Sequence, residues 1–251
     1  MTRTIRLSGS LIFLGSMCLP SAASVGPEAV WRPSAGKIRN IMQKCGNVRP
    51  LNLNPCFLAE MRASGASPEA MTFSRQLNEG TKGLVGFLHD FREAGRVDVA
   101  YVEYVFRANE NLACYLVNGT PPLIDVDDTK ILETNSLERN SRYATIKARY
   151  PKISIWPGDW NTTMYPIARA LSTGGERFIV SYWLQNGCHA CERIGSVQFA
   201  FDFDKDGKFL GTQFQSVEAV DTAGRQSNAN GLLLFRYELK ESIPSRPVAG
   251  C

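Results

Sequence analysis

The chain reads as an α+β protein: N-terminal helices are followed by antiparallel strands, and a further helix then packs on a curved antiparallel sheet. Three observations predict this. Apolar residues follow a helical spacing from Ser34 to about Ala94, the spacing switches to period two after Gly95, and short alternating segments with turn-rich connections run on beyond Pro151.

The first 23 residues stand apart from this plan. Arg3 and Arg6 precede an apolar run from Leu11 to Leu19, which Pro20 ends and the small residues Ser21, Ala22, Ala23 and Ser24 follow. This is the pattern of a secretory signal peptide cleaved near Ala23. The run is too short to span a bilayer, which takes about 20 residues. A lipidated Cys18 is the alternative, although Met17 suits the position before such a cysteine poorly. Processing would remove two arginines and no acids, so the formal charge of +4 falls to +2. Without a cluster of Lys and Arg interleaved with aromatics, nothing in the chain tracks phosphates, and no nucleic-acid partner is expected. No transmembrane segment is expected in the processed chain, which should be periplasmic or secreted.

Residues 24–134 read as a helical segment plus a β-hairpin. Ile38, Ile41 and Met42 share one face of a first helix, and Phe57, Leu58 and Met61 one face of a second. Ser67-Pro68-Glu69-Ala70 is a helix start, with serine as N-cap and proline in the first helical position. After Gly95, Val97, Val99, Tyr101, Glu103 and Val105 alternate with Asp98, Ala100, Val102, Tyr104 and Phe106, and apolar groups on both faces predict a strand covered on each side.

Residues 135–251 read as a helix plus an antiparallel meander that carries a Cys-x-x-Cys loop. The helix spans Ser136 to Tyr150 and is ended by Pro151. Strands are predicted at Ile153 to Trp156, Met164 to Arg169, Arg177 to Gln185, Ser196 to Asp204 and Lys208 to Val217. Pro157-Gly158-Asp159, Thr173-Gly174-Gly175 and Lys205-Asp206-Gly207 supply the turns. A weak internal duplication is also suggested. Cys114 and Cys191 each lie eleven residues before an Asp-x-Asp, at Asp125 and Asp202, and Tyr104 and Tyr182 precede those cysteines at similar distances.

Six cysteines follow the leader: Cys45, Cys56, Cys114, Cys188, Cys191 and Cys251. An even number in an oxidising compartment predicts disulfides before metal or catalysis. Cys45 and Cys56 bracket a loop rich in turn formers and should pair. Cys188 and Cys191 should close a small ring in a hairpin loop, which leaves Cys114 for Cys251 by elimination.

The chemical readings follow from context. Cys188-His189-Ala190-Cys191 is flanked by strands, so neither sulfur gains the helix N-terminus that favours a thiolate. His189 between the sulfurs is the argument for the alternative, a thiol-disulfide oxidoreductase using Cys188 and Cys191. Glu192 occupies the place a c-type haem needs for histidine. With only His89 and His189 in the chain, zinc lacks ligands. His89 reads as a helix residue.

Asp202, Asp204, Asp206 and Gly207 match the start of a calcium loop, but Gln213 stands where a bidentate carboxylate is needed, and a tight hairpin accounts for the same residues. Asp125, Asp127, Asp128, Asp202 and Asp204 could supply paired carboxylates for hydrolysis, or simply keep strand ends soluble. Trp156, Trp160, Tyr165, Tyr182 and Trp183 could line a ligand groove, with Trp183, Tyr182 and Trp156 the binding candidates.

The reading that results is an exported, disulfide-stabilised, non-catalytic protein of a bacterial-type envelope. It would bind a protein, a peptide or an envelope component, and use no cofactor.

Overall fold

The computed structural model describes residues 24–107, 111–158, 160 and 165–220. The leader with Cys18, the segment beyond Val220 and Cys251 lie outside the described residues. Within them the fold is α+β, with five α-helices and two antiparallel sheets.

A single 3-10 turn at Pro27–Ala29 precedes α1 (Ala35–Cys45), α2 (Pro50–Ala63) and α3 (Pro68–Gly80). The starts of α1 and α3 are set by serine caps: Ser34 accepts from the Lys37 N–H and Ser67 from the Ala70 N–H. A disulfide joins Cys45, at the end of α1, to Cys56 within α2, with Cα atoms 5.8 Å apart. Around it Ile41, Phe57, Met61 and Met71 pack with Trp31 and Phe87. Met42 does not share this face. Its side chain is 44% exposed where Ile41 is 1%, because the position one residue on is rotated by about 100° around the helix.

The helical spacing does not persist to Ala94. Lys82 and Gly83 adopt φ of 57° and 109°, a left-handed pair that ends α3 and turns the chain into β1 (Phe87–Arg92). His89 is therefore a strand residue. Phe87, Leu88 and Phe91 mimicked a helical face by spacing alone, whereas pairing with β2 decides their conformation.

The expected hairpin is the centre of a four-stranded sheet, ordered β1, β2 (Asp98–Glu103), β3 (Leu112–Val117) and β4 (Leu123–Asp125). As the alternation predicted, β2 is covered on both faces. Ala100 and Val102 pack toward Phe73 and Leu77 of α3, while Val97, Val99 and Tyr101 join a larger core on the other side.

The predicted helix of 136–150 is two helices, α4 (Asn135–Glu138) and α5 (Ser141–Arg149). Asn140 separates them because its side chain caps α5, accepting from the Arg142 and Tyr143 N–H groups, and so holds its own backbone extended. Both helices pack against strand β9 (Phe209–Ala219) of the second sheet.

That sheet runs β5 (Ile153–Pro157), β7 (Glu176–Asn186), β8 (Arg193–Phe203) and β9 (Phe209–Ala219), with β6 (Ile167–Ala170) also paired to β7. Its inner face presents Phe178, Val180, Tyr182 and Leu184 from β7 and Val197, Phe199, Phe201 and Phe203 from β8. They share one apolar core with the first sheet and with Leu137, Tyr143 and Ile146.

Polar ties fix one sheet against the other. The Glu176 carboxylate accepts from the Arg96 and Val97 N–H groups at 2.7 and 2.9 Å. The Thr120 N–H donates to the Gly207 carbonyl at 2.8 Å, and the Thr120 carbonyl accepts from Phe209 N–H at 2.9 Å. Gly207 has φ +79° in the β8–β9 turn, and a side chain at Gly119 would meet its carbonyl at 2.8 Å.

Helix followed by antiparallel meander thus occurs twice along the chain, but the cysteine match behind the suggested duplication does not hold. Cys114 lies in strand β3 opposite Tyr101, fully buried, whereas Cys191 sits in a hairpin loop. Cys114 has no disulfide partner among the described residues. None of the described helices is long and apolar enough to cross a membrane.

The staple between α1 and α2 closes a loop with a sequence separation of 11. Replacing Cys45 and Cys56 together by serine should cost about 3 kcal/mol through the unfolded-state entropy regained, or roughly 6 to 12 °C in Tm. Differential scanning calorimetry under non-reducing conditions measures it, and an unchanged Tm would show that packing alone holds the helices.

Candidate functional site

A concavity with a volume of about 850 Å³ lies between the turn after β4 and strand β5 at the edge of the second sheet. It is built from the turn outward. At the end of β4, Asp125 bonds its own chain, with Oδ1 accepting from Asp127 N–H at 2.9 Å. Such an Asx turn reverses the backbone over two residues. Val126 is thereby driven into the core, where its carbonyl accepts from the Tyr182 hydroxyl at 2.8 Å. Asp125 and Asp127 are left on the cleft wall on either side of it.

Each carboxylate is held from behind. Asp125 Oδ2 accepts from the Tyr115 hydroxyl at 3.3 Å, and Tyr115 is itself hydrogen-bonded to the Tyr104 hydroxyl. Asp127 Oδ1 accepts from Trp160 Nε1 at 2.7 Å. Burial dominates the ionisation of both acids and pushes each upward. For Asp127 the negative charge of Asp125 adds to the rise, while the Trp160 bond opposes it. For Asp125 the Asp127 N–H, the Tyr115 hydroxyl and Arg107 partly offset the burial. Burial likewise raises Tyr104, to about 12. The Arg107 guanidinium, which also lines the cleft, lies 3.8 Å from the centre of the Tyr104 ring.

The facing wall is aromatic. Strand β5 pairs with the second half of β7, which sets Ser154, Ile155, Trp156 and Pro157 along the cleft and brings the β7–β8 loop alongside. Trp156 is half-buried. Its Nε1 donates to Ser154 Oγ at 2.8 Å, and its ring meets that of His189 at 5.1 Å between centroids. Lys130, Thr129 and Asp128 line the mouth, with Asp128 Oδ1 accepting from the Lys130 N–H.

The sequence candidates separate on this frame. Cys188 and Cys191 are joined, with Cα atoms 4.9 Å apart, in a turn at the tip of the β7–β8 hairpin closed by Cys191 N–H to Cys188 carbonyl. His189, from that ring, lines the cleft together with Trp156 and Trp160. Tyr182 does not line it, because its ring is fully buried in the shared core beneath Val126. Trp183, its neighbour in β7, points to the opposite sheet face under the Arg193 guanidinium, 4.2 Å from the ring centre. Tyr165 stands edge-on to Tyr101, with Arg92 stacked on it at 4.1 Å. His89 pairs with Glu103 at 3.2 Å, and that hydrogen bond raises its pKa.

Asp202 forms a two-pronged ion pair with Arg177, both contacts at 2.6 Å. Asp204 Oδ1 accepts from the Asp206 and Lys208 N–H groups at 2.9 Å each, and the Lys208 bond lowers its pKa. Asp206 pairs with Lys205 at 2.9 Å. These acids build the hairpin and the sheet face, and do not converge as a calcium loop would. Among the described residues, no three His, Cys, Asp or Glu side chains gather where a metal ion could sit.

Of the five acids that could supply paired carboxylates, Asp125, Asp127 and Asp128 gather at the cleft while Asp202 and Asp204 do not, and the backing by Tyr104, Tyr115 and Trp160 and the cations Arg107 and Lys130 carry no sequence signal. No local signal marks Tyr115 as a partner of Asp125, since the two are brought together by β3–β4 register. Comparison with protein-family models, curated proteins and solved structures finds no match to this chain.

Because folding raises the pKa of Asp125 and Asp127, the native state binds more protons than the unfolded chain, so stability falls as pH rises between the unfolded carboxylate value of about 3.9 and the raised native ones. Asp127→Asn keeps an oxygen for the Trp160 N–H and removes the buried charge. Its Tm at pH 7 should exceed that of the wild type by a few degrees, and the difference should shrink toward pH 4 when thermal unfolding is followed across that range. A constant difference, or a less stable variant at pH 7, would contradict the assigned ionisation.

Proposed function

We propose that the chain is an exported, disulfide-stabilised binding protein that captures its ligand in the cleft between the Asp125–Asp128 turn and β5, with the Cys188–Cys191 ring as its rim. One observation carries this reading. Carboxyl groups and aromatic rings line one concavity of about 850 Å³, and Asp125, Asp127 and Trp156 are each already oriented by a hydrogen-bond partner. Small-ligand sites combine an apolar lining with a few fixed polar groups in this way.

Binding is favoured over turnover by what surrounds those groups. Ser154 Oγ accepts the Trp156 N–H and donates toward the Gln185 and Gly187 carbonyls, and the Cys114 thiol lies fully buried, where desolvation pushes its pKa up. Export is supported by the basic start, short apolar run and small residues ending at Ala23, together with two disulfides in the fold.

Two measurements test the proposal. Intact-mass analysis of the protein recovered from periplasm or medium should find a chain starting near Ser24, and a species retaining Met1 would end the export reading. Hydrogen exchange of that protein with and without envelope extract should show protection at 125–130 and 154–158. Protection confined to other segments would move the binding site elsewhere.

A thiol-disulfide exchange activity of Cys188 and Cys191 is the second reading, favoured by the exposure of their ring at a hairpin tip next to His189. The turn gives neither sulfur a helix N-terminus, so after mild reduction Cys188 should alkylate with an ordinary pKa near 8.5. A value well below that, with insulin-reductase activity lost on substitution by serine, would establish the redox reading instead.

A further inference from the structure

Resting on the cleft as the binding site, we infer that its ligand is an oligosaccharide, with a sugar ring stacked on Trp156 and hydroxyl groups bonded by Asp125 and Asp127. The first argument is what the aromatic wall leaves available. The Trp156 N–H is taken by Ser154 and the Trp160 N–H by Asp127, so neither indole offers a donor, and the half-buried Trp156 presents an apolar face steadied by the His189 ring. A pyranose carries C–H groups on its faces and hydroxyls around its rim. An apolar aromatic face beside carboxyl oxygens matches both parts at once.

Charge points the same way. Three acids at the cleft, Asp125, Asp127 and Asp128, are countered by Arg107 and Lys130. A cationic ligand would meet that opposition, and burial further disfavours the ionised forms of Asp125 and Asp127 that it would need. A hydroxyl is served by either form, since a carboxylate accepts from it and a protonated carboxyl donates to it. Size agrees as well. A concavity of about 850 Å³ lies in the range of small-ligand sites, roughly 300 to 1,000 Å³, whereas a folded protein partner needs a broad face of about 800 Å².

The test uses the processed protein with its disulfides intact. Isothermal calorimetry is run with triacetylchitotriose, cellotriose and maltotriose, and with the basic peptide Lys-Ala-Lys-Ala-Lys. At least one trisaccharide should bind saturably, with Kd on the order of 0.1 to 1 mM. Trp156→Ala should weaken it about tenfold, while Trp156→Phe should retain most of the affinity. Asp127→Asn should change binding at pH 7 by no more than about threefold, because the amide still bonds hydroxyls.

Circular dichroism checks the fold of each variant. Should Trp156→Ala not fold, the imidazole resonances of the wild type give the second readout: the chain has two histidines, and the trisaccharide should shift His189 and leave His89 in place. Absence of binding by all three trisaccharides overturns the inference, as does a trisaccharide that binds without moving His189. Peptide binding that Trp156→Ala weakens and Asp127→Asn abolishes overturns the saccharide but keeps the cleft. Binding of any probe that neither substitution affects removes the cleft itself.

Discussion

The apolar layer between the two sheets is what the rest of the molecule depends on. Phe178, Tyr182, Phe199, Phe201 and Phe203 from one sheet and Val99, Tyr101, Cys114 and Leu116 from the other form one continuous core, to which α4 and α5 add Leu137, Tyr143 and Ile146. Neither sheet could bury its apolar face alone. The first sheet has a second face, closed by α3, and so sits between two cores. This double coverage explains why β2 and β3 are apolar at nearly every position.

That layer also creates the cleft. Val126 is part of the core, and the Tyr182 hydroxyl pins its carbonyl, so the turn after β4 is fixed where the chain leaves the sheet. The acids on either side of Val126 then share its partial desolvation. Ionised, they are costly there, and the surrounding donors lessen but do not cancel the cost. Both carboxyls are therefore strained toward the neutral form by the same packing that places them.

The two disulfides work at different levels. Cys45–Cys56 ties two helices whose core is small and separate from the main layer. Cys188–Cys191 closes a short ring at a hairpin tip, where little chain is constrained and the stability gained is correspondingly small. Its structural consequence is to hold His189 at the cleft against Trp156.

Much of the fold was legible in the chain because it rests on local rules. Serine caps at Ser34 and Ser67, period-two alternation in β2 and β8, and the Asp204-to-Lys208 hairpin each depend on residues within a few positions of one another. Two of the larger departures from the local pattern come from non-local partners. Strand β1 looked helical until β2 paired with it, and Tyr182 looked available until the second sheet turned it inward. The cleft was legible only in fragments: Asp125, Asp127, Trp156 and His189 were visible as isolated residues of the right chemistry. Their assembly required the β3–β4 and β5–β7 registers. By itself the sequence determined the starts of α1 and α3, the strands β2 and β8, the Cys45–Cys56 staple and the hairpin around Cys188 and Cys191, since turn chemistry, capping and alternation act over short separations. Only the tertiary structure decided which acids are desolvated and which rings face them, because burial depends on what distant strands bring to the same place.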